Sequence, residues 1–131
     1  LNFRLQTLDK VITKRRLHAN LYRELLNREF ISLPSQSEHA YDSVHTFVIQ
    51  SNQRNLLANF LLSHGISTAI HYPLPIHLQP ASQSLGYKKG DFPVAESQAD
   101  RILSLPIHEY LNFSDIEKIS ETINSFFRLG A

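Results

Sequence analysis

One stretch near the middle of the chain constrains its fold most, because two strand patterns stand there on either side of a helix pattern. Residues 44–49 (VHTFVI) are β-branched and aromatic, which is typical of a buried or half-buried strand. Ser51 or Asn52 can cap the helix that follows, and Gly65 stands where a left-handed C-terminal cap belongs. Residues 66–72 (ISTAIHY) form the second strand pattern. This order predicts a compact domain that combines helices with a sheet.

Residues 1–30 carry a long helical pattern. Apolar residues recur at helical steps from Leu1 to Leu26, and neither glycine nor proline interrupts the stretch. A helix usually begins with Ser, Thr, Asp or Asn before its first apolar positions, whereas here the pattern is already present at Leu1. We therefore expect this helix to continue from a preceding segment of a longer protein.

The second half of the chain contains two more helix patterns and a short strand pattern. Residues 91–93 (DFP) are typical of a helix start with proline in the first turn, and residues 102–107 (ILSLPI) predict a short strand that a proline ends. Residues 114–117 (SDIE) fit a capping box, and apolar residues follow them at helical spacing. All patterns together predict an α+β domain with about three short strands and about four helices.

The composition excludes several classes of function. Thirteen basic and twelve acidic residues leave a net charge of +1, which offers no electrostatic basis for binding nucleic acid or an anionic membrane. The chain contains no cysteine, so disulfides and cysteine nucleophiles are excluded, and its seven histidines form no tight ligand pair that would predict a metal site. No apolar run approaches the roughly 20 residues that a membrane helix needs. We expect a cytoplasmic protein.

Residues 70–79 (IHYPLPIHLQ) form the segment whose side chains are best suited to binding a ligand. Closely spaced prolines exclude a regular helix or a central strand there, and they reduce the conformational entropy that binding would cost. The side chains suited to phosphate, ribose or sugar hydroxyls are those of His71, Tyr72, His77 and Gln79. The alternative is a surface loop whose rings only pack on their neighbours. The residue pattern alone leaves both interpretations open.

Three longer motifs follow one another in the second half of the chain. They are HYPLPIHLQ at 71–79, LGYKKGDFPVAE at 85–96 and ILSLPIH at 102–108, and KRRLHANLYREL at 14–25 lies in the predicted first helix. In this order and spacing, the motifs resemble the C-terminal part of the DegT/StrS-type sugar aminotransferases. The resemblance covers nearly the whole chain.

The resemblance implies a fold and a domain division. The fold is the small C-terminal domain of fold-type-I aminotransferases, in which a small antiparallel sheet packs with helices. Residues 1–131 are then one such domain, with a leading helix at 1–30 and an α/β core at 44–131. The large N-terminal domain, which binds the cofactor in this family, is absent from these residues. None of the lysines of this chain matches the family's cofactor lysine.

The resemblance also implies an activity for the intact enzyme. The implied enzyme is a homodimer that uses pyridoxal 5'-phosphate (PLP) to move an amino group from glutamate to a nucleotide-linked keto-sugar. In the family, the histidine and tyrosine of the first motif reach the substrate, which implies this role for His71 and Tyr72. His77 and Gln79 also match, as substrate-proximal or loop-shaping residues, while Glu96 and Ser104 match with a structural role. Two alternatives stay open: a regulatory or binding module without catalysis, and a PLP-dependent sugar dehydratase.

Overall fold

A computed structural model describes residues 2–35 and 39–130 of the chain. Its helices and strands, in chain order, are α1 (Asn2–Leu5), α2 (Leu8–Leu25), β1 (Phe47–Gln50), α3 (Arg54–Ser63), α4 (Pro93–Arg101), β2 (Ile102–Leu105) and α5 (Phe113–Leu129). Two 3-10 segments, Ile76–Leu78 and Pro80–Leu85, lie between α3 and α4. The architecture is α+β, as predicted.

The sheet is antiparallel, and within the described residues it has two strands. β1 pairs with β2 from Phe47 opposite Leu105 to Gln50 opposite Ile102. The strand predicted at 66–72 is reduced to an isolated bridge, in which Ala69 and Ser104 exchange backbone hydrogen bonds of 3.2 and 2.7 Å. This pairing does not extend past Ser104, because Pro106 has no N–H to donate to a neighbouring strand. The expectation of about three strands was therefore too high by one regular strand.

The core lies where α2, α3 and α5 pack against the sheet. Its fully buried side chains include Tyr22, Phe47, Ile49, Leu57, Leu61, Leu103, Ile116 and Ile123. In α5, the apolar positions at helical spacing all face this core or its edge, which confirms the periodicity predicted from the sequence. In the first half of the chain, only the later part of the apolar pattern is buried, since Leu5 and Leu8 are exposed.

The single helix predicted for residues 1–30 is divided and shorter. A turn separates α1 from α2, and α2 ends at Leu25. The end of α2 is held by α5, because the Asn124 amide donates to the Leu25 carbonyl at 2.9 Å and its side-chain oxygen accepts from Asn27 N at 3.0 Å. This contact joins residues far apart in the chain, so the local pattern does not reveal it. Leu1, where the uncapped pattern begins, lies outside the described residues.

The helix ends agree with the sequence prediction in some places and differ in others. Gly65 follows α3 with φ of 74°, as expected for a left-handed cap, and Pro93 opens α4. The capping box of α5 is built by Asn112 and Asp115, whereas the sequence pattern placed it two residues later. Asn112 takes the position because its side chain accepts from Asp115 N at 2.9 Å, while Ser114 only donates to the Asn112 side chain.

Candidate functional site

A cleft of about 610 Å³ lies between the proline-containing loop after α3 and helix α4. Most of its walls are apolar or aromatic, and its lining residues include Leu74, Ile76, Leu85, Tyr87, Phe92 and Ile102. Histidine, tyrosine and amide side chains stand among these apolar groups. Among the described residues, no lysine, arginine, aspartate or glutamate lines the cleft. Such a cavity suits a ligand that is held by ring and apolar contacts and oriented by a few polar groups.

The structure brings the four predicted site residues to this one cleft. His71, Tyr72, His77 and Gln79 all line it. The Tyr72 side chain is mostly exposed at the rim, with 72% of its surface accessible. The Gln79 amide donates to the Leu74 carbonyl at 3.4 Å, so it contacts the backbone of its own loop.

His71 is oriented by the sheet. Its Nδ1 lies 2.9 Å from the Oγ of Ser104, a buried residue of β2. The Tyr72 ring stands edge-on to the imidazole, with centroids 5.7 Å apart. A second cleft of about 700 Å³ is also lined by His71 and Tyr72, and Thr46, Ser67 and Thr68 are among its other lining residues. The His71–Tyr72 pair therefore stands where the two clefts adjoin.

His77 is oriented by a carboxylate. Its Nε2 lies 3.0 Å from Oε1 of Glu96 in α4, and the two side chains are only 9% and 13% exposed. Glu96 also accepts from the backbone amides of Gly90, at 2.8 and 3.0 Å, and of Phe92, at 3.3 Å. Desolvation alone would raise the pKa of Glu96, but the hydrogen bonds from Gly90, His77 and Phe92 outweigh it and lower the pKa. Glu96 is therefore an ionised carboxylate at neutral pH.

Aromatic contacts continue from His77 along the wall of the cleft. The His77 ring packs on Phe92 with centroids 4.7 Å apart, and Phe92 packs on Tyr87 at 5.1 Å. The turn before Phe92 contains Gly90 at φ of 100°, a conformation that residues with a side chain rarely adopt. The two loops that carry these rings are thus joined both by ring packing and by Glu96.

Sequence reasoning gave Glu96 and Ser104 a structural role only, yet each contacts one of the predicted site histidines. The signal for Glu96 was its position in the first turn of a helix that follows a glycine-containing turn. A carboxylate at that place can accept from free backbone amides. Ser104 gave a weaker signal, a hydroxyl inside an otherwise apolar strand.

The described residues contain no group of three or more His, Asp or Glu side chains that could hold a metal ion. None of the helices in the same part of the chain is long and apolar enough to cross a membrane.

Comparison with protein families gives a match over most of the chain. Residues 1–124 match the DegT/DnrJ/EryC1/StrS aminotransferase family. The chain is 38% identical to a "Pleiotropic regulatory protein" of Geobacillus stearothermophilus, over 92% of this chain and 33% of that protein. It is 30% identical to dTDP-3-amino-3,6-dideoxy-alpha-D-galactopyranose transaminase of Aneurinibacillus thermoaerophilus, over 96% of this chain and 34% of that enzyme. The chain thus spans about a third of the length of these relatives.

Solved structures show the same fold. DesV of S. venezuelae, in complex with a ketimine intermediate, superposes with a TM-score of 0.91 at 31% identity, over 95% of this chain and 34% of that one. A DegT DnrJ EryC1 StrS aminotransferase from Brucella abortus superposes with a TM-score of 0.87 at 34% identity, over 96% of this chain and 34% of that one. The matched region is the C-terminal part of these aminotransferases.

Proposed function

The chain belongs to the DegT/DnrJ/EryC1/StrS aminotransferase family, and we propose that it is the substrate-side C-terminal domain, residues 1–131, of a nucleotide-sugar aminotransferase. The observation that carries the proposal is the cleft, which gathers His71, Tyr72, His77 and Gln79 among apolar walls. Two relatives that match this chain are named as transaminases of dTDP-linked amino sugars, and another as a UDP-linked sugar aminotransferase. These names favour a nucleotide-linked sugar as the substrate class, and in the proposal the substrate is a keto-sugar and glutamate is the amino donor.

In this proposal the chain binds substrate and does not carry the cofactor. PLP chemistry needs a lysine amine and an acidic partner for the pyridine nitrogen. Neither a lysine nor a carboxylate lines the cleft within residues 2–35 and 39–130, so these residues do not fit PLP. The cofactor belongs to the large N-terminal domain, which lies outside the matched third of the relatives.

His71 and Tyr72 offer an imidazole and a phenol to the substrate. The Ser104 contact holds the His71 ring from the sheet, so that the ring does not have to be ordered when a ligand binds. Tyr72 is exposed at the rim, where its ring can stack on a ligand and its hydroxyl can form a hydrogen bond. His77 is less exposed and lies between Glu96 and Phe92. Gln79 shapes the loop that carries all four residues, through its hydrogen bond to the Leu74 carbonyl.

The rim of the cleft also favours an assembled enzyme. Its apolar side chains Leu74, Ile76 and Leu85 are exposed, by between 42% and 78%. Exposed apolar side chains clustered around a cleft are typical of a surface that another domain or subunit covers. In the proposal, the large domain and the second subunit of a homodimer complete the site here.

The name of the Geobacillus relative favours a second candidate, a regulatory module of the same family that does not transfer amino groups. One assay separates the two. The complete protein that contains these residues is supplied with PLP, glutamate and nucleotide keto-sugars, and 2-oxoglutarate release is measured. Amino transfer supports the first candidate, and its absence with all substrates tried supports the second. Loss of water from the sugar without uptake of the amine would identify a dehydratase.

Substitutions then test the cleft. His71→Ala and Tyr72→Phe are expected to raise KM for the nucleotide sugar at least about tenfold, the equivalent of about 1.4 kcal/mol of binding. His64→Ala, an exposed histidine at the end of α3, is the control and is expected to leave KM unchanged. A KM for the nucleotide sugar that stays at the wild-type value in His71→Ala and Tyr72→Phe, as in the control, would contradict the assignment of the cleft.

A further inference from the structure

Glu96 connects two loops that face each other across the cleft. Its carboxylate accepts from His77 in the proline-containing loop, and from Gly90 and Phe92 in the turn before α4. Both carboxylate oxygens are used, since Gly90 N contacts Oε1 at 2.8 Å and Oε2 at 3.0 Å. Glu96 itself does not line the cleft, whereas His77 and Phe92 do. The carboxylate therefore acts on a ligand through His77.

The direction of the His77–Glu96 hydrogen bond follows from this arrangement. An ionised carboxylate can only accept, so His77 must donate its Nε2 proton. In a neutral imidazole the second nitrogen, Nδ1, is then the acceptor. The burial of both side chains favours this hydrogen bond, because a carboxylate without a partner and with little access to water would cost free energy.

We propose that Glu96 is a positioning residue of the cleft: it holds His77 in the Nε2–H form and fixes the spacing of the two loops. Packing alone would place the rings of His77, Phe92 and Tyr87 but would leave the imidazole free to carry its proton on either nitrogen. The carboxylate removes that freedom. It also holds the turn at Gly90, which carries Phe92 to the cleft wall.

A consequence for the ligand follows, and it rests on the proposed function. An Nδ1 acceptor prefers a ligand group with a proton to donate, such as a sugar hydroxyl, over a phosphate oxygen. The negative charge of Glu96 also repels a phosphate group that approaches the ring. Because no lysine or arginine of the described residues lines the cleft either, this cleft suits the uncharged part of a nucleotide sugar. The diphosphate would then be neutralised by groups outside it.

The first test uses the 131-residue chain and does not depend on any ligand. In ¹⁵N-labelled protein at neutral pH, long-range ¹H–¹⁵N spectra show which ring nitrogen of each histidine carries the proton, and the His77→Gln variant identifies the His77 signals. We expect His77 to be locked with its proton on Nε2, and the Gly90 amide proton to be shifted downfield by its carboxylate acceptor. In Glu96→Gln, we expect the lock to be lost and the Gly90 shift to move upfield.

Two further variants separate positioning from general destabilisation. Glu117→Gln changes an exposed glutamate of α5 and is expected to leave both signals as in the wild type. His77→Gln removes the ring and leaves Glu96 free to accept from Gly90, so it is expected to keep the Gly90 shift. Circular dichroism reports whether each variant is folded. A folded Glu96→Gln protein with an unchanged His77 proton position would overturn the proposal, and so would an unchanged Gly90 shift.

The second test measures the ligand consequence in the complete enzyme. Glu96→Gln is expected to raise KM for the nucleotide sugar about tenfold while leaving KM for glutamate unchanged, and Glu96→Asp to give a smaller rise. An unchanged KM for the nucleotide sugar would refute the consequence for the ligand. If the enzyme transfers no amino group at all, the proposed function fails, whereas the role of Glu96 is still decided by the spectra of the chain.

Discussion

Replacing Tyr22 with phenylalanine removes one oxygen atom from the centre of the protein. The Tyr22 side chain is fully buried, its ring stacks on Phe47 with centroids 5.0 Å apart, and its hydroxyl donates to the Pro106 carbonyl at 3.0 Å. This hydrogen bond joins α2 to the segment that leaves β2, across 84 positions of the chain. Phenylalanine keeps the ring and its packing, so the substitution isolates the hydroxyl.

The expected cost comes from the carbonyl that loses its donor. A partly buried acceptor left without a partner costs about 1–2 kcal/mol. For a protein of 131 residues, an unfolding entropy of about 2 cal/mol/K per residue converts this cost to a fall in Tm of about 4–7 °C. Thermal unfolding followed by circular dichroism measures the fall, and urea unfolding gives the free energy independently.

Tyr110→Phe is the matched control, because it makes the same chemical change at a side chain that is 84% exposed. Its effect is expected to stay within about 0.5 kcal/mol. Equal Tm values for the two variants would refute the assignment of energy to the Tyr22–Pro106 bond. A loss far above about 2 kcal/mol would show that the ring stack had moved as well.

The stability of the protein at alkaline pH provides a second measurement on Tyr22. Burial, and after it the negative charge of Asp115, raise the pKa of Tyr22 above its ordinary value of 10.0. The folded protein then holds this proton more tightly than the unfolded chain does, so the contribution of Tyr22 is complete below pH 10 and is lost as pH rises above it. Tyr22→Phe should therefore lose stability less steeply above pH 10 than the wild type. Equal slopes would contradict this reasoning.

Three other predictions concern separate parts of the structure. Burial, helped by the charges of Lys14 and His108, lowers the pKa of His18 below 6.5, so the unfolded chain binds the proton more readily and the free energy of unfolding falls as pH drops below 6.5. In urea unfolding between pH 7.5 and 5, the free energy of unfolding of His18→Leu should fall less with pH than that of the wild type. An equal dependence on pH would contradict this prediction. Arg54 donates from Nη1 to two backbone carbonyls at the junction of α4 and β2, so Arg54→Leu should cost about 1–3 kcal/mol in the same experiment, and a cost under about 0.5 kcal/mol would exclude a stabilising role. Asn112→Ala should cost about 1 kcal/mol as the loss of a helix cap, whereas Ser114→Ala should cost less than half of that, and the reverse order would return the cap to Ser114.

The parts of the fold that were predicted correctly depend on local pattern. The residues of α5 repeat at helical spacing around a buried face, and the β-branched and aromatic pattern at 44–49 overlaps the observed strand, Phe47–Gln50. Such features arise from backbone preference and from burial of one face, and both are visible within a few neighbouring residues. The proximity of His71, Tyr72, His77 and Gln79 is also local, since they stand in one short loop and line one cleft, while their role in binding stays a prediction.

The parts that were missed depend on contacts between distant residues. α2 ends at Leu25, where the side chain of Asn124 in α5 donates to the Leu25 carbonyl, and no residue near Leu25 in the sequence predicts that end. The bridge at Ala69 does not continue toward Ser67, because Pro106 on the opposite segment has no N–H to donate. Glu96 lies 19 positions from His77, and only the folded chain shows that the two side chains meet. In each case the information lies in a partner that the local pattern does not contain.

The way α2 and α5 share one core also determines when the protein can fold during its synthesis. α2 begins at Leu8 and α5 begins at Phe113, and these two helices pack directly on each other. At a translation rate of about 5–20 residues per second, the ribosome needs about 5–20 s to make the chain between them. During that time the part of α2 that packs on α5 has no native partner. A chain that stops before Phe113 still contains Phe47 and Pro106, the contacts of Tyr22, but it lacks the helix on which α2 packs. The side of α2 that α5 covers then stays exposed, which makes such a chain a substrate for chaperones or proteases.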